Sequence, residues 1–456
     1  MYDPVEDRWI LAMKAGSDCD DSGFIFGFSQ TNDAAGTWHF YVFDGCPKDN
    51  NTFADFPMMA ITQDEFFYTY NAVDESLSWQ EGFVETIIIQ VNKHNGYAGE
   101  ELQLEMWSDI TYGGKPIRNL CPVKSATEEL YTNCYFLSNR NFAFQNDTFF
   151  VLEVTGPLTD PEHELKIDVR LTDVPYGLPP DARQPQGSLA TNDARVLDAI
   201  RYDDWVQFVG NTIHIDNGNS TIYHGYIENI SDLKAIHGYV LEHTDTESGL
   251  IDLGYPGIAF TGLNPADRDV IIVASHSNNA MPPGNSACYA GQDESHSEWI
   301  ELKPGDSYID MILEQDLERW GDYAGAQRKY NEPGIVWVSA SFGQSDKRNN
   351  TWVSSLQPAD QASSVNDETT DLNVSAFPNP AQDRLQLRFT LPEIQKITAN
   401  VYDLQGRLVD RIGVITPGQA GEIVMHFSTA PLGPGTYVIE VKGEREFLFS
   451  HKIVVE

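Results

Sequence analysis

Basic side chains are scarce in this chain. It carries 29 Lys and Arg against 68 Asp and Glu over 456 residues, a formal net charge of −39. Residues 373–456 hold 8 of the basic and 9 of the acidic groups, which leaves 21 against 59 in the front region. A field of that sign repels phosphate backbones, so nucleic acid is excluded as a partner. Divalent cations or a basic protein surface are compatible with it, and its plainest reading is solubility in salty water. No run of 18 apolar residues occurs, so no transmembrane segment is expected. Helical periodicity over long stretches is also missing. HExxH is absent, which removes the commonest zinc-peptidase signature, and so is the GxSxG nucleophile elbow. The eleven histidines are scattered; His276 in VASHS and His296 in DESHSEW have no companion at ligand spacing and read as surface or satisfied residues.

Cysteine is sparse too. The five stand at 19, 46, 121, 134 and 288, with no CxxC pair and no histidine at zinc-ligand spacing. In an exported protein Cys19–Cys46 and Cys121–Cys134 could pair locally, leaving Cys288 alone. Reduced, buried thiols are the alternative, and spacing leaves the connectivity open.

Aromatic residues make up 11% of the chain, β-branched residues are frequent, and both point to an all-β protein. Self-comparison finds related stretches at DFPMMAITQDEFFYTYN, CPVKSATEELYTNCYFL, QGSLATNDARVLDAIRYDDWVQFVG, GYPGIAFTGLNPADRDVIIVASHS and GDYAGAQRKYNEPGIVWVSASFG. With Pro57, Pro122, Gly187, Pro256 and Tyr323 as equivalent points, the spacings are 65, 65, 69 and 67. A further stretch follows in each unit, beginning at Trp38, Glu85, Leu165, Tyr223, Trp299 and Trp352. Six units of three or four strands predict a β-propeller of about six blades over residues 1–356. A pair of β-sandwiches is the competitor, but it does not predict a period near 66. YDPVEDRWILAM matches a blade's second strand, so the first blade is expected to be incomplete. No basic and apolar leader follows Met1, and the chain is expected to begin inside a blade.

Chemistry is harder to find. TNDAAGTW at 31–38 and SDKRNNTW at 345–352 resemble degenerate Asp-box turns of sialidase-like propellers, which are structural. Such enzymes also need clustered arginines and a Tyr–Glu pair, and no such set can be assigned from the sequence. A glycoside hydrolase on a sialidase-like propeller therefore stands second, by fold analogy. DCDDSG offers Asp18, Asp20 and Asp21 as a weak Ca²⁺ candidate, without the distal Glu of an EF-hand; a solvated acidic turn is the simpler reading. DNGNST at 216–221 is weaker still. No cofactor is required by anything in the sequence. RWGDYAG at 319–325 should open an inner strand and place Asp322 and Tyr323 near the axis. Trp320 and Tyr323 could stack on a sugar while Asp322 binds its hydroxyls or a cation. The alternative is that Trp320 packs between blades and Asp322 caps a turn.

QPADQASSVNDETTDL, residues 357–372, is polar and free of aromatics and reads as a linker. Beyond it, LQLRF, ITANVYDL, RLVDRI, EIVMHF, TYVIEV and FLFSHKIVV are short strands with turns at LQGR and LGPGT, enough for a small Ig-like β-sandwich over 373–456. Its motifs occur in a distinctive order. Phe377, Pro378, Asn379 and Pro380 with Asp383 come first. Val401, Tyr402, Asp403, Gly406, Arg407 and Val409 follow in VYDLQGRLV. Leu432, Gly435 and Tyr437 stand in LGPGTYVIEV, and Lys452 to Val455, Val454 among them, form the terminal strand. This tail resembles the type A C-terminal sorting domain of the type IX secretion system of Bacteroidetes-type bacteria. The extra Gly-Pro in LGPGTY and the final Glu456 depart slightly from that pattern. The resemblance implies Sec export, passage through the outer membrane by the type IX machinery, and release or surface attachment with the tail usually removed.

Taken together, the sequence describes a secreted or surface-held propeller that binds an extracellular polysaccharide or protein. An extracellular hydrolase is the second reading and a structural surface protein the third. An arginine group or acid pair at the channel mouth would favour the hydrolase; a domain without a pocket would favour the structural protein.

Overall fold

The computed structural model describes residues 1–231, 236–246, 248–264, 267–311, 316–358, 374–391, 394–403, 407–416, 420–443 and 447–455. It divides into two compact units, Met1–Ala359 and Asp360–Glu456. From residue 359 onward the expected linker lies outside the described residues.

The front unit is a β-propeller with, among the described residues, six blades. Blade 1 is built from Tyr2–Asp3, Arg8–Ala15, Gly23–Ser29 and Trp38–Asp44, and blade 2 from Thr52–Ile61, Glu65–Asp74, Phe83–Asn92 and Leu104–Trp107. Blade 3 contains Cys121–Pro122, Cys134–Asn139, Asn146–Val154 and Leu165–Tyr176. Blade 4 contains Val196–Tyr202, Trp205–Ile213, Ser220–Ile227 and His237–Val240, with Lys124–Ser125 added in parallel at its inner edge. Blade 5 runs through Asp252–Phe260, Val270–Ser277, Gly284–Ala290 and Ile300–Lys303, and blade 6 through Gly325–Arg328, Val336–Gly343 and Asn349–Leu356. The inner strand of blade 1 is two residues long, against ten in blade 2.

Alternation explains the apolar runs. Phe66, Tyr68 and Tyr70 face Phe26 and Phe28 of blade 1, while Phe67 between them faces Phe136 of blade 3. Both faces of the second strand of blade 2 are covered by neighbouring blades, so FFYTY reads as an unbroken run although its side chains alternate. The same logic sends Ile272 toward blade 4 and Ile271 and Val273 toward blade 6. Truncating one such ring, for example Phe26→Ala, costs about 3–5 kcal/mol. Between blades 6 and 1, the rings of Tyr330 and Tyr2 lie 6.0 Å apart.

The even spacing fails at one unit. Gly187 lies in the turn between Ala182–Arg183 and Ser188–Ala190, outside blade 4, whose inner strand starts at Val196. The true counterpart is a bulge at Val196/Asp198, matching bulges at Asp55/Met58 and Gly254/Gly257. Residues 177–195 are thus an excursion between blades 3 and 4. The stretches read as one recurring strand also mix third strands (Glu85, Tyr223, Trp352) with fourth strands (Trp38, Leu165, Trp299), because strand lengths and turns vary between blades.

Cys19 and Cys46 form a disulfide. Cys121 and Cys134 are free and buried, as is Cys288. They cannot pair: Cys121 packs in the layer toward blade 4 and Cys134 in the layer toward blade 2, on opposite faces of one sheet.

The tail unit is a two-sheet sandwich. Ser375–Phe377, Arg384–Leu391 and Gly421–Ser428 make one sheet, and Leu408–Ile415, Ile397–Asp403, Gly435–Lys442 and Phe447–Val455 the other. Leu385, Leu387, Phe389 and Leu391 from the first sheet meet Val401, Ile439 and Ile453 from the second. The first strand of the tail stops at Phe377, and cis peptide bonds precede Pro378 and Pro380.

Candidate functional site

The inner-strand bulges put Phe56 and Tyr255 in the left-handed region, at φ 50° and 51°, which non-glycine residues rarely adopt. Both rings thereby join an axial cluster with Leu189, Leu197, Ile309 and Trp320. Above it the excursion does its work. Ser188–Ala190 pairs in parallel with Leu317–Arg319, so the segment before blade 4 and the segment before blade 6 are stitched across the axis. That pairing gathers side chains from four distant parts of the chain around one cleft.

The cleft has a volume of about 500 Å³. Three arginines line it, from Arg118, Arg195 and Arg319, together with Asp55, Asp181 and Asp322 and the aromatic residues Phe53, Phe56 and Trp79. Arg195 is buried and held by Asp193, with its Nε 2.7 Å from Oδ1 and its Nη2 2.6 Å from Oδ2. Its guanidinium lies over the Phe56 ring at 4.1 Å and over Trp79 at 5.4 Å. Arg118 donates to the backbone carbonyls of Trp79 and Gln80 and lies over the rings of Phe83 at 4.5 Å and Phe142 at 4.7 Å. Burial pushes its pKa down to about 10, so it stays charged at neutral pH, and its buried Nε has no hydrogen-bond partner. Arg319 is exposed and paired with Asp322, whose other oxygen accepts from Asn192 Nδ2 at 3.1 Å. Partial burial raises the Asp181 carboxyl above its ordinary value. Neither Asp181 nor Asp55 is held in a hydrogen bond by another described side chain.

The residues picked out from RWGDYAG separate by role. Asp322 lies in the cleft. Tyr323 is 46% exposed, stacks on Phe56 at 4.9 Å and donates to the Pro57 carbonyl at 3.1 Å. Trp320 is fully buried, so it is not available to stack on a sugar. Its ring covers Gly254, where any Cβ would stand 2.9 Å from Trp320 Cζ3. The three arginines escaped the sequence reading because they come from separated segments; Arg319 alone stood inside the stretch already singled out. Asp18 is occupied with its own turn, its Oδ1 accepting from the Asp21 N–H at 2.8 Å and its carbonyl from the Ser22 N–H. Among the described residues no three His, Cys, Asp or Glu side chains are grouped to hold a metal, Asp18, Asp20 and Asp21 included. His296 is bonded to His224 at 2.9 Å; His276 is buried, bonded to Ser286 through Nδ1, and its Nε2 lacks a hydrogen bond.

In the tail, the motif residues close the sandwich on itself. Asn379 Oδ1 accepts from the Val454 N–H at 2.8 Å and Nδ2 donates to the Lys452 carbonyl at 3.1 Å. The Asp383 carbonyl accepts from the Thr429 N–H at 3.0 Å. Asp403 accepts from both the backbone and Nε of Arg407, at 3.0 and 2.8 Å; Gly406 lies outside the described residues. Tyr402 donates to Glu440, and Tyr437 to the Gly433 carbonyl at the Gly435 turn. The secretion system C-terminal sorting domain family matches residues 375–456. The tail is a type IX sorting domain. With this sorting domain the protein is a secreted one, directed by the type IX machinery to the cell surface or beyond. No helix among the described residues is long and apolar enough to cross a membrane.

A comparison with curated proteins finds no match. Among solved structures the chain is similar to Trypanosoma rangeli sialidase in complex with difluorosialic acid, at 7% identity over 98% of this chain and 82% of that one, TM-score 0.39. It is similar to the Penicillium chrysogenum α-L-arabinanase complexed with arabinobiose, at 11% identity over 67% and 93%, TM-score 0.35. A third is the GH32 β-fructofuranosidase of Bombyx mori, at 13% identity over 88% and 87%, TM-score 0.30. Likeness this loose leaves the chemistry of the cleft to its own residues.

Proposed function

We propose that the propeller binds an extracellular glycan in the axial cleft. One observation carries this reading: three of the 21 arginines and lysines of a strongly acidic front region converge on one concave site, beside aromatic faces and amide side chains. Sugars present both apolar ring faces and hydroxyls, and a cleft of this make-up offers rings to stack on and fixed donors and acceptors to orient them. Arg195 and Arg118 are immobilised before any ligand arrives, which limits the ordering cost of binding. The test is titration of the secreted protein against a panel of oligosaccharides, with Arg319→Ala and Asp55→Asn beside the wild type. Binding that both variants weaken supports the reading; a panel without a single ligand overturns it.

A second reading, an extracellular hydrolase, is also supported by the arginine group in the cleft, the feature expected to favour it. Asp181 is a carboxyl with a raised pKa and no side-chain partner, in the same cleft as Asp55 and Asp322. A carboxyl that holds its proton, sharing a cleft with other carboxyl groups, is what glycoside hydrolysis requires. Incubation of the bound glycans with the protein, followed by mass spectrometry of the products, separates the two readings. Cleavage lost in Asp181→Asn makes the protein a hydrolase; intact glycan leaves it a binding protein.

A further inference from the structure

The axial cleft has a neighbour. A second cleft of about 330 Å³ opens over blade 3 between the 116–118 segment and the 139–146 loop. Arg118 is a wall of both, and Phe142 of the outer cleft lies 5.8 Å from Trp79 of the axial one. The two floors are also tied together: Asn141 Nδ2 donates at 2.7 Å to the same Asp193 that anchors Arg195. Arg140 stands on the far side, its guanidinium 4.7 Å over the Phe150 ring.

Arg118 and Arg140 share an unusual condition for a chain with 68 acidic residues. Neither forms an ion pair with a carboxylate among the described residues, and both lie against aromatic rings. Arg118 keeps, in addition, a buried Nε with no partner. A guanidinium so placed is preorganised for a planar anion, because the rings fix its face; the edge donors of Arg140 make no hydrogen bond among the described residues, whereas Arg118 is already anchored by the Trp79 and Gln80 carbonyls and lends its charge. Phe142, 37% exposed, and the amide of Asn146 supply the apolar face and polar edge that a sugar ring needs.

We propose that the two clefts form one groove for a polysaccharide bearing carboxylates, the outer cleft binding an acid group through Arg140 and Arg118. This rests on reading the axial cleft as a glycan site. The surrounding negative field selects among such polymers. It disfavours a chain charged on every sugar and admits one whose acid groups are spaced by neutral sugars, since repulsion between exposed charges fades beyond roughly 8 Å at physiological salt.

The experiment measures affinity of the full secreted chain for hyaluronan tetramer and octamer and for glucuronic-acid-substituted xylo-oligosaccharides, with unsubstituted xylohexaose as the neutral control. An acid-bearing octamer or substituted oligomer is expected to bind about tenfold more tightly than its short or neutral counterpart, the size of one charge-assisted contact. Arg140→Gln should remove that gain and leave the affinity for the short oligomer unchanged. The groove is overturned if length and charge make no difference, or if Arg140→Gln weakens short and long ligands alike. Tight, length-independent binding would overturn the groove and leave the axial site standing; absence of any binding would remove both.

Discussion

Asp193 grips Arg195 through two hydrogen bonds, at 2.7 Å to Nε and 2.6 Å to Nη2, and both side chains are buried. The pair sits two residues apart at the end of the excursion between blades 3 and 4, immediately before the inner strand. It fixes a guanidinium over Phe56 at the axis and positions the wall of the cleft.

Removing Asp193 leaves that guanidinium buried without its counter-charge. Asp193→Ala is expected to destabilise the propeller by about 3–5 kcal/mol, the range for breaking a buried pair. Urea unfolding measures it. Arg319→Ala is the contrast: the pair with Asp322 is exposed at Arg319, and its loss should shift the midpoint very little while weakening glycan binding. Equal destabilisation by both variants would show that the arginines serve the fold rather than the cleft.

The blades were legible because their physics is local. FFYTY, WVQFV and VIIVAS carry their burial in the sequence, and the strands of the tail alternate as its motifs require. The cleft was not, because its residues meet through the parallel pairing of Ser188–Ala190 with Leu317–Arg319 across more than a hundred residues. No periodicity reports such a pairing. The excursion also absorbed Gly187 into a false repeat, since small residues suit both a turn and an inner strand. Trp320 was read from its type, and aromatic type alone does not distinguish a sugar platform from a core ring over Gly254.

Acid should act on the buried and half-buried histidines of blades 4 and 5. Burial lowers the pKa of His276 to about 3 and of His243 to about 4, and holds His224 well below its usual value. In the unfolded chain each titrates near ~6.5, so between that pH and the folded value the unfolded state binds more protons. Their contribution is therefore intact above pH ~6.5 and declines as pH falls, by up to about 1.4 kcal/mol per pH unit for each histidine. Thermal melts from pH 7 to 5, above most carboxylate titration, should show the decline. His276→Gln should make the slope shallower; an unchanged slope would mean that these histidines become protonated without unfolding.

The cysteines make a separate prediction. Cys19–Cys46 closes a loop with a sequence separation of 27, and its removal by double substitution with serine should cost about 2–4 kcal/mol. Cys121, Cys134 and Cys288 are buried, and burial raises the pKa of each thiol. A thiol reagent should find none of them in the native protein and all three after unfolding. Rapid native labelling would mean that the layers between blades open readily.

The sorting domain is held shut by Asn379. Its side chain bonds the terminal strand at both Val454 and Lys452, and Ala381 pairs with Val455 beside it. The clasp joins the first motif of the tail to its last, so the features that mark the sequence as an address also hold its ends together. Asn379→Ala should loosen the terminal strand at a cost of roughly 0.5–1.5 kcal/mol, with hydrogen exchange faster at Val454 and little changed at the core residue Ile439. If the export machinery reads the closed sandwich, this variant accumulates inside the cell while the wild type appears outside, shortened by its C-terminal domain. If it reads only the linear motif, secretion of the variant persists despite the faster exchange. Fractionation and intact mass of both proteins, expressed from the full gene in a host with the type IX system, decide between these outcomes.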